Sequence, residues 1–459
     1  MIAGRLQAAA GVVMKLPRSI SLVLVLAVAA CNSSTPRGGG AQTSTSTAPA
    51  PSTAPSPSGG AAGPPLSPNV PADMPPNPSQ ADAVTYAWQQ FVALNWPALA
   101  GMRGVPDTSK MIGASGEVVW HTWKAPDEIF YADGRMPPSW NDYGGELPSQ
   151  CAAAGAPSMG LVLTRTSKVP GNITNDAVEL AKQAVGGTIT DQHGNLARYE
   201  VRLNQMIFNA IVTSQFYNTQ GQDAARQISF LPGVMEVKAS WRQILPNEPP
   251  TVTSRYYTET AWIYTPQFGP NKPTCVMGKV GLVGLHITQK TQSRPQWTWA
   301  TFEQIDNVPP TTPPYTGPLS FNDPTCPVAM CPPNMSTEKN GVPTGKPTQV
   351  TRVIPIGDEA AAANPMWQQA LAAAAPNSPF RYYQLVDIQW PSNPSSQRPG
   401  GVPTPSLLAN TTMETYVRQS SCINCHFTAR TYSSKLSSDY SFMLAEAKPA
   451  SASRTGGAR

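Results

Sequence analysis

Apolar residues first recur at helical spacing between Ala81 and Trp96. Ala81, Val84, Ala87, Trp88, Phe91 and Val92 form a stripe that Pro97 ends, which predicts an amphipathic helix. Asn172 to Val185 and Leu196 to Tyr217 read as further helices, the second with Tyr199, Leu203, Met206, Ile207, Ala210 and Ile211 on one face. Alanine-rich Asp358 to Ala375 has helical propensity, with Pro365 as a breaker inside it. Elsewhere the period changes. Glu117–Trp123, Gly160–Arg165, Val234–Trp241, Tyr256–Tyr264, Val280–Thr288, Gln296–Phe302 and Phe380–Trp390 are rich in β-branched and aromatic residues, which predicts strands. The expected class is α+β with an antiparallel sheet. Near the end, Thr411 to Cys422 reads as a helix capped by Asn410 or Thr411. Ser438 to Ala447 reads as a second short helix carrying Tyr440, Met443, Leu444 and Ala447 on one side.

Two stretches break the pattern. Ile20 to Ala30 is continuously apolar, follows Lys15 and Arg18, and is too short to span a bilayer comfortably. It ends in Val28-Ala29-Ala30-Cys31, which is similar to a bacterial lipobox, so residues 1–30 are expected to be a lipoprotein signal and Cys31 the lipidated residue. Met14 is an alternative start. Residues 31–79 are dominated by Ser, Thr, Ala, Gly and Pro, which predicts a disordered tether reaching up to roughly 3.1 Å per residue. The expected organisation is then a body over 80–403, a haem-attachment segment over 404–448 and a disordered tail over 449–459. The fifty prolines point to a loop-heavy body.

Net charge adds little. The formal +5 falls to about +2 once the three basic residues before Cys31 are removed, which gives no argument for nucleic acid. Cysteine adds more. Cys422-Ile423-Asn424-Cys425-His426 is the Cys-x-x-Cys-His pattern of covalent c-type haem attachment, with both thiols reaching one porphyrin edge and His426 beneath it as proximal iron ligand. In the oxidising compartment that this chemistry and the export signal imply, the remaining Cys151, Cys275, Cys326 and Cys331 are expected to form two disulfides. The favoured pairs are Cys326–Cys331 and Cys151–Cys275.

The sixth ligand has several candidates. His286 shares a strand face with Gly284, which leaves space for a flat ring, although a hydrogen-bonded core role competes. Met443 and, more weakly, Met413 are thioether candidates. His121 reads as a sheet histidine and His193 as an exposed turn residue in Asp191 to Asn195. Two polar-aromatic groups also stand out. Trp297, Trp299 and Glu303 lie on one predicted strand face, suited to electron relay or a pocket. Glu236, Lys238, Trp241 and Arg242 form the other, with a solvent-facing charge pair as the plainer reading of both.

The haem motif, together with the stretch Asn410 to Gln419 before it, resembles bacterial single-haem proteins of the cytochrome c family. Trp299-Ala300-Thr301-Phe302-Glu303 and Glu236-Val237-Lys238 are similar to stretches in them, and the resemblance extends over most of the chain after Gln80, with specificity confined to the motif. It implies one covalent haem c and a redox role without an assigned substrate. The expectation is a lipid-anchored, envelope-facing electron carrier with an unidentified redox partner protein. A haem enzyme of peroxidase or oxygenase type, with an open sixth position, is the alternative.

Overall fold

The structure, a computed structural model, describes residues 63–158, 160–166, 187–310, 317–394 and 403–451. The export signal, Cys31 and the helix expected over Asn172 to Val185 lie outside them. Helix α1 (Gln80–Leu94) forms where its stripe predicts. A capping box starts it: Ser79 Oγ accepts from Asp82 N at 3.1 Å, and Asp82 Oδ2 accepts from Ser79 N at 2.9 Å. Asn95 ends it, donating from Nδ2 to the Phe91 carbonyl and accepting from Trp120 Nε1.

The expected helix Leu196 to Tyr217 divides in two. Arg198–Leu203 is strand β2, and only Gln205–Thr213 is helix, here α2. Tyr199, Val201 and Leu203 satisfy a period of two as well as they fit a helix. Asn204 then settles the boundary, because its side chain accepts from Ile207 N as an N-cap. Helix α3 (Asp358–Ala374) runs through Pro365 without breaking. Beside that proline, Asn364 turns inward and bonds both backbone groups of Leu385, at 3.0 and 2.9 Å. Glu117 to Trp123 is not a strand but a 3-10 turn over Val119–Thr122, which swings Trp120 and His121 inward.

The fold is mixed α/β, with few helices around an eight-stranded sheet. Besides β2 it contains β1 (Val162–Leu163), β3 (Met235–Ile244), β4 (Thr258–Thr265), β5 (Thr274–Gln289), β6 (Thr298–Gln304), β9 (Tyr383–Pro391) and β10 (Pro403–Thr404). A separate hairpin is formed by β7 (Glu338–Lys339) and β8 (Val342–Pro343). The long β5 is the spine: β3 runs along one edge, and β4 and β6 share the other. All pairings in the large sheet are antiparallel except β1 with β4, so the antiparallel expectation becomes a mixed sheet.

Each face of the sheet is covered differently. On one, Phe91 of α1 stacks on Phe302 at 4.3 Å, and Trp88 stacks on Trp367 of α3 at 5.6 Å. On the other lies the C-terminal segment, with Asn410 Nδ2 bonded to Thr301 Oγ1 at 2.9 Å and Ser441 Oγ bonded to the Glu236 carboxyl. The end of the expected tether belongs to the body as well. Met74 is buried, Leu66 and Val70 pack on the core, and Asp73 accepts from Ser293 N at 2.8 Å. Three apolar side chains at four-residue intervals supply burial that the stretch's overall composition conceals. At the other end Ser451 N donates to the Asp133 carbonyl at 2.8 Å, so the first residues of the expected tail also lie on the body. Both disulfides form as paired, Cys151–Cys275 and Cys326–Cys331. Among the described residues no helix is long and apolar enough to cross a membrane.

Candidate functional site

Cys422 to His426 forms a five-residue helix, the motif helix, too short to persist on its own. It is held from below. Ile423 is fully buried, and its N–H donates to Gln389 Oε1 at 3.0 Å. Ser421 Oγ donates to the same oxygen at 3.2 Å, while Gln389 Nε2 donates to the Pro405 carbonyl at 2.7 Å. One glutamine on β9 therefore caps the helix and ties down the chain that leads to it. Cys422 and Cys425, three residues apart, are helix-surface neighbours; both are partly exposed and neither is in a disulfide.

A backbone carbonyl helps to orient His426. Its Nδ1 lies 2.8 Å from the Tyr440 carbonyl oxygen. With Nδ1 as donor, the ring nitrogen that carries the lone pair is Nε2, the arrangement a metal-binding imidazole needs. That carbonyl is aimed by an unusual backbone: Asp439 and Tyr440 have φ of 52° and 70°, a left-handed pair with no glycine. Asp439 is pinned there by Lys290 Nζ at 2.6 Å and Phe230 N at 2.7 Å. Aromatic rings surround the imidazole. Trp299 stands 4.2 Å away between centroids and Phe442 5.0 Å.

The two predicted polar-aromatic groups separate. Trp299 and Glu303 do share a face of β6, but Trp297 precedes the strand at φ 67° and stacks on Trp299 at 6.1 Å. Glu303 accepts from Thr411 Oγ1 at 2.7 Å and pairs with Arg352, so it anchors the approach to the motif. Glu236 is buried behind the site. Burial pushes its carboxyl up to about 7, against the lowering effect of its bond from Ser441. Trp241 faces the opposite layer, where its Nε1 donates to Glu200, and Arg242 pairs with Glu248. Lys238 pairs in register with His286 on β5.

The space expected beside His286 is filled. A Cβ on Gly284 would meet Ser240 Oγ and Thr412 Oγ1, each at 2.5 Å, so the Asn410 to Thr412 segment uses the gap that glycine leaves. His286 Nε2 lies 3.4 Å from Glu414 Oε2. Asn410 to Gln419 is irregular rather than helical. Thr411 and Thr412 direct their hydroxyls to Glu303 and Asn410, and the Glu414 carboxylate returns to Asn410 N at 2.8 Å, competing with helical bonding. Met443 is buried in a 3-10 turn (Phe442–Glu446) directly after the Phe442 that touches His426. Met413 is buried elsewhere, with Tyr199 and Val283. His193 is exposed in its turn. His121 is buried, not in the sheet but between the carboxylates of Glu117 and Glu200.

Gln389, Asp439, Lys290 and the Tyr440 carbonyl are the residues the sequence reading missed. No local signal marks them, since each acts through a contact distant in sequence. Among the described residues no group of three His, Cys, Asp or Glu side chains converges to hold a metal ion. No family model, curated protein or solved structure matches the chain.

Proposed function

We propose that this protein is a c-type cytochrome that carries single electrons, exported and held to the bacterial envelope by a lipid on Cys31. Cys422 and Cys425 would hold haem c through thioethers, and His426 would bind its iron through Nε2. The group supplies a one-electron iron couple; everything else is the work of the chain. The observation that carries the reading is the 2.8 Å contact from His426 Nδ1 to the Tyr440 carbonyl, directly after two thiols on one helical turn. The donor set and its surroundings suit the group: half-buried Phe427, Leu436 and Phe442 give apolar surface beside the motif. Tyr440 fixes the imidazole tautomer, Gln389 sets the helix direction, and Trp299 with Phe442 keeps water from the proximal side.

The full chain, matured in a bacterial host with haem-attachment machinery, should retain haem through acid–acetone extraction and show the adduct by mass spectrometry. The Cys422→Ala/Cys425→Ala variant should lose it. Mature wild-type protein without an adduct overturns the proposal.

A second reading, a haem enzyme with an open sixth position, draws support from the filled gap at Gly284, where Ser240 and Thr412 occupy the space a flat ring would need in order to approach His286. Carbon monoxide separates the two. Six-coordinate electron transfer through His286 or Met443 predicts an unchanged reduced spectrum, and an open site predicts a rapid shift. His286→Ala and Met443→Leu then identify the ligand by which one alters the spectrum.

A further inference from the structure

Methionine ordinarily sits with isoleucine, leucine and phenylalanine in protein cores. Here it does not. Twelve of the fifteen methionines lie among the described residues, and eight of those twelve are exposed, by 45 % to 78 %. Among the described residues fourteen large apolar side chains are exposed. The other six are three leucines, two valines and a tyrosine, with no isoleucine, phenylalanine or tryptophan.

The exposed methionines come from six stretches of chain. Met102 and Met111 lie in the loop after α1, Met136 in the chain before β1, and Met206 in the first turn of α2. Met277 is on the outer end of β5, and Met366 follows Pro365 in α3. Met330 and Met335 lie within and just beyond the loop that Cys326–Cys331 closes. The other oxidisable side chains are placed in the opposite way. All eleven tryptophans are described and none is exposed, while Met74, Met235, Met413 and Met443 are buried.

An exposed methionine buries little apolar surface, so packing does not account for the bias. What it offers water is a nucleophilic sulfur. Oxidation makes the thioether a polar sulfoxide, which disrupts a core, is harmless on a surface, and can be undone by a reductase. The oxidant class that suits such a lone pair is a hypohalous acid. With hypochlorous acid, R–S–R + HOCl gives R–S(O)–R + H⁺ + Cl⁻. Sulfur loses two electrons, chlorine gains them, and an S–O bond forms as the O–Cl bond is lost. Each sulfur acts alone, so a placement over six stretches suffices, whereas a soft-metal site would need several thioethers to converge. Two buried groups at the motif stand to be spared: Trp299, 4.2 Å from His426 between ring centroids, and Met443.

We propose that the eight exposed methionines are sacrificial modification sites for hypohalous acids, consuming the oxidant before it reaches Trp299 and Met443. The proposed export supplies the setting in which such oxidants are met, but no part of the test reads haem.

Hypochlorous acid is added in graded doses to the full mature chain, and each dose is mapped by peptide mass spectrometry and thermal melting. One added oxygen is expected at each of the eight, with Trp299 and Met443 unmodified until those eight are converted and the melting temperature unchanged at that point. Replacing all eight by leucine should move the dose that modifies Trp299 and Met443 down by about eight equivalents, one per sulfur removed. If that variant melts early, Met102→Leu/Met111→Leu/Met330→Leu/Met335→Leu, which changes loop positions only, should move it by about four. Modification of Trp299 or Met443 ahead of the eight, dose curves that the leucine variants leave in place, or a lower melting temperature once the eight are converted overturns the proposal.

Discussion

Glu236 is a carboxyl whose charge state the fold controls, and its effect on stability has a definite sign. Its folded pKa of about 7 lies above its ordinary 4.5, so the folded state binds the proton more tightly than the unfolded chain does. The stability it contributes is therefore full below pH 4.5, falls between 4.5 and 7, and levels off above. The shift corresponds to a loss on the order of 3 kcal/mol across that window. Glu236→Gln, which keeps the bond to Ser441, should remove this share of the decline and leave that of Asp387, also raised to about 6: equal to wild type at pH 4 and more stable at pH 8. Urea melts at a series of pH values check this, and identical profiles would sink it. His121 acts in a later window. Its raised pKa of about 9 gives stability that is complete below 6.5 and lost as pH climbs to 9, so His121→Gln should remove only that second decline.

The motif helix shows how an element too short to be stable can be built. Five residues cannot repay helix nucleation, so its form depends on Ile423 in the core and on Gln389 at its start. Gln389→Ala leaves Ile423 N–H buried without an acceptor and should cost about 1–3 kcal/mol, read by thermal melting. If the proposed haem attachment is right, the same variant should also lower the yield of covalent adduct, because the two thiols lose their fixed spacing. An unchanged yield in a folded variant would show that the helix is set by the attachment itself. Helix α1 is the contrasting case. Its capping box is local, so Ser79→Ala should cost about 1 kcal/mol of stability and leave the site untouched.

For the molecule as a whole, the two disulfides act on different scales. Cys151 and Cys275 are 124 residues apart and Cys326 and Cys331 are five. In the chain-entropy treatment the long loop contributes about 5 kcal/mol and the short one about 2 kcal/mol. Cys151→Ser/Cys275→Ser should therefore lower the denaturation midpoint well beyond Cys326→Ser/Cys331→Ser. Equal losses would show that native packing, rather than loop closure, sets the effect. The long bridge joins the segment before β1 to the outer end of β5, on the same side as β4, the partner of β1.

The sequence by itself determined the features whose cause is local. The Cys422 to His426 spacing, the stripe of α1 and the β-branched and aromatic runs of β3, β5, β6 and β9 could be read because neighbouring residues carry the signal, and the cysteine pairing could be read by elimination once Cys31, Cys422 and Cys425 had uses. Tertiary structure decided the rest. Leu196 to Tyr217 fits two periods, and only pairing with β3 makes its first half a strand. Thr411 to Cys422 has helical spacing, yet Glu303 and Asn410 draw its hydroxyls into other bonds. Gly284 suggested space for a ring, but the chain returning over the sheet occupies it. The orientation of His426 draws on the Tyr440 carbonyl, turned by a left-handed pair that Lys290 holds from 149 residues away. Local composition encodes which atoms are available; it cannot encode contacts that exist only once distant segments share one face of the sheet.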